Sequence, residues 1–323
     1  MKLERWNTLI LAPVAALALS AANAQEFPSK SVRLISPFPP GGAVDLLGRT
    51  LAPPLSRAFG QSVMVENRPG GNTVIGAEVV VRAPADGHTL LLMAPSFTIN
   101  PFVQSKLPFD PSKDFSGVTR LALVPMLIAV HPSLPAKGLK DLVALARKRP
   151  GQLMYGTASI VGQQRIAAES LKEAAGIDIV NVPYNGSAPA ITATLGGHAS
   201  MVLLNVSELA SHVTTGRLRA IAVTSAARSD VLKDVPTIAE SGYPGFDVTN
   251  WFGAVARSAT PRGTIQRLAA EITRALQLPE TRDLLTKLGM SSAPMSPEAF
   301  DAFLRSEMEK NGRIIRKLNV KAD

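Results

Sequence analysis

The sequence of 323 residues contains no cysteine. Neither a disulfide nor a cysteine nucleophile can be built from it, so stability has to come from packing. The same absence excludes anchoring through a lipid on an N-terminal cysteine. Histidine is scarce as well. His88, His131, His198 and His212 are the four present, they show no HExxH or other metal-ligand spacing, and they are scattered over loops and element ends. There is no G-x-S-x-G elbow, and the glycine-rich GGNTVIGA lacks the lysine of a phosphate-cradling loop. No metal, no cofactor and no catalysis are therefore expected. Aromatic residues make up only 5% of the chain. The basic residues do not cluster, and the densest run, Arg147-Lys148-Arg149, has no aromatic platform beside it, so the net charge of +9 is not arranged as a nucleic-acid surface. A basic field favours small anions, and a charge of this size is also ordinary for solubility.

Long apolar runs are equally few. The candidate is LILAPVAALALSAA, preceded by Lys2 and Arg5 and followed by the small-x-small signal Ala22-Asn23-Ala24. It is short for a bilayer span and ends in small residues, which reads as a secretory signal peptide over 1–24, cut after Ala24. The mature chain is then expected to be an exported, freely diffusing protein. About 300 residues bury a large core and usually divide into two domains.

What the chain has in quantity is alternation. VRLISPF at 32–38, VMVEN at 63–67 and TLLLMA at 89–94 are short apolar runs flanked by Pro, Gly or Asn, as strands buried on both faces are. Segments 45–59 and 73–83 between them carry apolar residues at helical spacing, which implies βαβ units and a parallel sheet. Pro53-Pro54 interrupts the stripe Val44, Leu47, Leu51, Leu55, Ala58, and a kink or break is expected there. GVTRLALVPMLIAVHPSLP at 117–135, broken by Pro125, has the length of a strand crossing from one domain to another. A second alternation follows, with helices at 139–149, 163–176 and 188–197 and strands at 154–158, 177–184, 199–205 and 218–225. Helical stretches at 262–277, 280–289 and 297–317 close the chain.

The junction Pro37-Phe38-Pro39-Pro40-Gly41-Gly42 joins the first strand to the first helix. Glycines there admit positive φ and close approach of main chain to a ligand, and a helix N-terminus offers about 0.3–1 kcal/mol to an anion without any cationic side chain. Asp45 has two readings, a contact to ligand or a helix cap.

Several stretches recur together, in this order, in one family: PFPPGGAVDLLGR at 37–49, VENRPGGNTVIGAEVV at 65–80, PADGHTLLL at 84–92, LPFDPSKDF at 107–115, PYNGSAPA at 183–190, LRAIAVTSAAR at 218–228, DVPTIAESGYPGFD at 234–247 and WFGAVA at 251–256. Across essentially the whole mature chain the sequence resembles the substrate-binding proteins of tripartite tricarboxylate transporters, the Bug-type periplasmic receptors. The resemblance implies a type II periplasmic-binding-protein fold: two α/β domains, each a mainly parallel sheet flanked by helices, joined by two crossover strands. The first domain is expected over 25–124 and 225–323, the second over 125–224. It also implies a monomeric periplasmic receptor that is no enzyme, a small carboxylate ligand in the interdomain cleft, and membrane permease subunits as partners.

For the cleft the resemblance implies Phe38, Pro40, Gly41, Gly42, Ala43, Val44 and Asp45 on one side. On the other it implies the loop carrying Thr157, Ser159, Gly162, Gln163 and Arg165. In the family that loop usually reads Gly-Ser-x-Gly-x-Gly-Ser/Thr and then His; here Ser159 and Val161 replace glycines, Gly162 replaces the hydroxyl residue, and Arg165 stands near the histidine. Arg165 has two readings, a bidentate grip on a second carboxylate or a solvated helix arginine. Tyr184 matches a cleft-lining position and reads equally as a core tyrosine. Ser96, Thr98 and Asn205 follow strands, where α/β clefts bind ligands, and are also ordinary turn residues. Two other readings stay open: a sensor for a membrane signalling partner, and an exported enzyme using the same cleft, which would need a nucleophile and base within hydrogen-bond reach.

Overall fold

The computed structural model describes residues 27–318, so the expected signal peptide lies outside the described residues. The chain starts as three strand–helix units: β1 (Val32–Ser36) and α1 (Ala43–Phe59), β2 (Val63–Asn67) and α2 (Val74–Arg82), β3 (Thr89–Met93) and α3 (Ser96–Val103). β1 pairs in parallel with both β2 and β3. The five residues of β3 are all buried, which is why its sequence is a continuous apolar run rather than an alternating one. Leu47, Leu51 and Leu55 line the buried face of α1. That helix runs without a break through Pro53 and Pro54, contrary to expectation. Both prolines lie off the face carrying Leu51 and Leu55, so packing holds the helix where two hydrogen bonds are lost.

β4 (Phe115–Val124) passes through Pro125 into β5 (Met126–Val130), which belongs to a different sheet. That second sheet is completed by α4 (Leu139–Lys148), β6 (Met154–Thr157), α5 (Gln163–Ala175), β7 (Val180–Pro183), α6 (Ser187–Leu195), β8 (Met201–Asn205), α7 (Val206–Thr214) and β9 (Arg219–Val223). The chain returns through β10 (Asn250–Arg257), followed by α8 (Arg262–Gln277), α9 (Pro279–Lys287), β11 (Ser291–Ser292) and α10 (Pro297–Leu318). The sheet orders are β11-β4-β10-β3-β1-β2 and β7-β6-β8-β5-β9. Two α/β lobes joined by two crossovers result, as the sequence leads one to expect.

Both sheets are mixed, however. β10 runs antiparallel to β3 and β4, and β5 runs antiparallel to β8 and β9. Each crossover leaves one sheet at the carboxyl end of a strand and enters the other at that sheet's facing edge, so the entering strand has to run backwards. The helices α3 and α7 and the strand β10 lie in stretches where the sequence pattern predicts no element.

Each lobe has its own core, and α10 joins the two. Phe300 and Leu304 pack with Trp251 in the first lobe. Ile314 and Ile315, further along the same helix, lie in the core cluster of the second lobe with Leu142, Tyr155 and Ile166. Lys317 reaches Glu173 on α5 at 3.1 Å. Among the described residues no helix is long and apolar enough to cross a membrane.

Candidate ligand-binding cleft

The carboxyl ends of β1, β3 and β4 lie at one edge of the first sheet, and those of β6, β7, β8 and β9 at one edge of the second. The crossovers join these two edges. Asn250, which pairs with Val124 at the end of β4, directs its side-chain amide to Asn205 Oδ1 at the end of β8, 3.4 Å away. The loops that follow the strands therefore turn toward one another across the crossover residues 124–126, Thr224 and 248–250.

On the first lobe the turn after β1 is built around Asp45. α1 begins after Gly42, so Asp45 sits in its first turn rather than capping it. Its carboxylate reaches back to accept the Gly41 N–H and Arg49 Nε, both at 2.9 Å, and the Asn67 side-chain amide at 2.8 Å. Asn67 also donates to the Phe38 carbonyl at 3.1 Å. Burial pushes the Asp45 carboxyl up, but the hydrogen bonds from Arg49, Gly41 and Asn67 and the charge of Arg49 outweigh it and hold the group below its ordinary range. Asp45 is 1% exposed and Val44 4%, so both face the interior. Pro40, Gly41, Gly42 and Ala43 are exposed, and Phe38 packs against the first lobe's core. The positive φ expected of both glycines occurs only at Gly41, at 81°; Gly42 is extended, with φ −75° and ψ 166°. A side chain at Gly42 would meet only the Pro39 carbonyl at 3.5 Å, an ordinary contact.

The neighbouring turn after β2 is strained. Asn72 and Thr73 hold φ of 49° and 79°, conformations that cost a branched residue such as threonine about 1–3 kcal/mol. Asn100 on α3 clamps them, exchanging amide hydrogen bonds with Asn72 at 2.6 and 2.7 Å. Ser96, at the start of α3, is half-buried. Thr98 is fully buried: its hydroxyl donates to Pro95 O at 3.0 Å and accepts from Asn311 at 3.0 Å, so it serves the interior instead of the cleft.

On the second lobe the altered loop folds onto itself. Thr157 is buried and donates to Ser159 O at 3.0 Å, while Ser159 Oγ donates to Val161 O at 3.2 Å. Arg165 uses one nitrogen within its own loop and leaves its buried Nε without a hydrogen-bond partner. It is half-buried, and its Nη1 donates to Ile160 O at 2.9 Å, tying the loop to the first turn of α5. Ile160 itself stands out at the tip, 58% exposed. Tyr184 lies with its ring against Gly156 of β6 and packs on the second lobe's core cluster. Asn205 precedes α7, and its N–H donates to Glu208 at 2.9 Å. Gly162 precedes α5, and Gln163 is the first residue of that helix. Its Nε2 reaches across to Thr249 O at 3.0 Å and toward Glu307 Oε2 at 3.4 Å. Glu307 also accepts from Trp251 Nε1 at 3.2 Å and pairs with Lys310.

The residues that brace these loops, Arg49, Asn67, Asn100, Thr249, Asn250 and Glu307, were not singled out in the sequence. Asn67 stands in one of the motifs quoted, but its partners lie 22 and 29 residues away, and no local spacing announces them.

A histidine and a hydroxyl meet at His131 Nδ1 and Ser133 Oγ, 2.7 Å apart. That pair follows the far end of β5, at the edge of the sheet opposite the cleft. Among the described residues no group of three or more His, Cys, Asp or Glu side chains is placed to hold a metal.

A family model described as the tripartite tricarboxylate transporter family receptor matches residues 47–320. The Bordetella pertussis protein BugT is 30% identical over 324 residues, covering 99% of this chain and 99% of its own. Among solved structures, R. palustris Rpa4515 with adipate is 32% identical with a TM-score of 0.72, over 90% of this chain and 98% of that one. MatC from Rhodopseudomonas palustris with bound malate is 26% identical with a TM-score of 0.68, over 90% and 100%.

Proposed function

The chain belongs to the tripartite tricarboxylate transporter receptor family, and from that membership we propose that it captures a small carboxylate in the interlobe cleft and delivers it to membrane permease subunits in the periplasm. The observation that carries this reading is the turn at 40–43. It is exposed, it stands at the N-terminus of a 17-residue helix, and its main chain is fixed from behind by a buried carboxylate that takes the Gly41 N–H, so a ligand would be met by the N–H groups that follow, from Gly42 onward. Preorganised N–H groups at a helix start suit one carboxylate. The adipate and malate held by the two Rhodopseudomonas relatives are ligands of that class.

The opposing contacts would come from the loop at 157–165, with Tyr184, Asn205 and Ser96 lining the walls. Closure would turn on the crossovers at Pro125 and 224–249, with domains over 25–124 and 225–323 and over 125–224. The ends of β4 at Val124 and of β5 at Met126 support the first boundary. A receptor is favoured over an enzyme because the His131–Ser133 pair lies away from the cleft.

A thermal-shift screen of mono-, di- and tricarboxylates on the mature protein tests this. A ligand at about a hundredfold excess over its dissociation constant should stabilise the fold by about 2.7 kcal/mol. If no carboxylate moves the melt, the proposal fails.

A further inference from the structure

Gln163 is 4% exposed, yet its Oε1 has no hydrogen-bond partner. A buried amide oxygen left bare is costly and calls for an explanation. The amide cannot be turned over to relieve it. Nε2 faces two acceptors, Thr249 O at 3.0 Å and Glu307 Oε2 at 3.4 Å. An oxygen in its place would meet oxygen on both. Glu307 is in turn fixed by Trp251 Nε1 and Lys310, so the acceptors that orient Gln163 are themselves held. The amide oxygen is therefore the end left without a partner, at the first residue of α5, next to the loop at 157–162.

We propose that Gln163 is a specificity-determining residue. Its Oε1 accepts a hydrogen bond from a donor on the ligand, and Glu307 is the positioning residue that fixes which end of the amide is presented. The inference rests on the receptor reading above and narrows its ligand class: the carboxylate taken up carries a hydroxyl, amide or ammonium group away from the carboxylate held at Gly41-Gly42. A plain aliphatic or aromatic acid would leave Oε1 bare, whereas the substituted acid satisfies it. A single buried acceptor of this kind discriminates by about tenfold to a hundredfold.

The test uses matched probes: 2-hydroxyglutarate against glutarate, 4-hydroxybenzoate against benzoate, and glutaramate against monomethyl glutarate. Each is titrated by calorimetry into the mature protein, Gln163→Leu and Glu307→Gln, and the readout is the ratio of dissociation constants within a pair. The donor-bearing member of at least one pair should bind wild type about tenfold or more tightly than its partner. Gln163→Leu should bring that ratio close to one. Glu307→Gln should lower it too, because an amide at position 307 can donate to Oε1 and let the Gln163 amide turn over. General damage to the fold weakens both members alike and leaves the ratio unmoved, so a ratio unchanged in both variants overturns the proposal. Acids that bind wild type with no preference overturn it while leaving the receptor reading intact. No binding of any acid removes both.

Discussion

Asp45→Ala should destabilise the protein by about 3–5 kcal/mol at neutral pH, and the size follows from what each of the three bonds on that carboxylate is worth. Hydrogen bonds to a charged acceptor contribute about 1.5–3 kcal/mol when the donor is otherwise stranded. The bonds from Gly41 N–H and the Asn67 amide count toward this, at the lower end for Gly41, because its exposed turn lets water replace the carboxylate. The ion pair with Arg49 counts for little: that side chain is 53% exposed and resumes full hydration, so about 0–1 kcal/mol is lost there. At about 2–4 °C per kcal/mol for a chain of this size, the melting midpoint should fall by about 6–20 °C in circular dichroism or calorimetry. The pH dependence has a definite sign. Because the folded carboxyl is held below its ordinary range, its contribution is complete above the unfolded value of about 3.9 and is lost as pH falls through the lower folded value. The gap between wild type and variant should thus be constant from about pH 8 to pH 5 and shrink below about pH 4. A variant that melts within about 1 °C of wild type at pH 7 would refute the argument that Asp45 braces the turn.

Gly41→Ala should cost about 1–2 kcal/mol, because φ there is 81° and an L side chain disfavours it although space is open around the position; a melt unchanged from wild type contradicts this. Gly42→Val should leave the fold near wild type, since the added Cβ makes only an ordinary contact, and should abolish carboxylate binding in calorimetry by covering the turn. Arg165→Ala should weaken ligand binding by less than about tenfold, because the guanidinium serves Ile160 O of its own loop; a loss of about 2–5 kcal/mol would instead give it a ligand carboxylate to hold. Ile314→Ala should cost about 2–5 kcal/mol in the melt through a cavity in the second lobe's core, and a surface-like effect under about 0.5 kcal/mol would show that the end of α10 is not packed there.

Fold class and most elements were legible in the sequence because the two periods, continuous apolar strands and 3.6-residue helices, alternate cleanly from Val32 to Val223. The elements missed have physical causes. Val206–Thr214 follows β8 with no intervening loop, so its apolar residues merge with those of the strand. Asn250–Arg257 reads as another buried apolar run, and its antiparallel direction is set by the crossover, which no local pattern encodes. The turn at 37–42 was legible from its glycines, but not which of them takes positive φ, since that depends on Asp45 and Asn67 pulling the main chain from behind. Thr98 illustrates the reverse: placed after a strand it looks available, yet it begins a turn of α3 whose inner face meets Asn311 of α10, 213 residues away.

On the proposed reading, an anion is captured by main chain at the turn of Gly41 and Gly42. Calorimetric titration of the best-binding carboxylate and of its methyl ester, each into wild type and Gly42→Val, tests it most directly. The acid should bind wild type, the ester should bind far more weakly, and Gly42→Val should bind neither while keeping its circular dichroism. An ester that binds as well as the acid, or a folded Gly42→Val that retains full affinity, would contradict it.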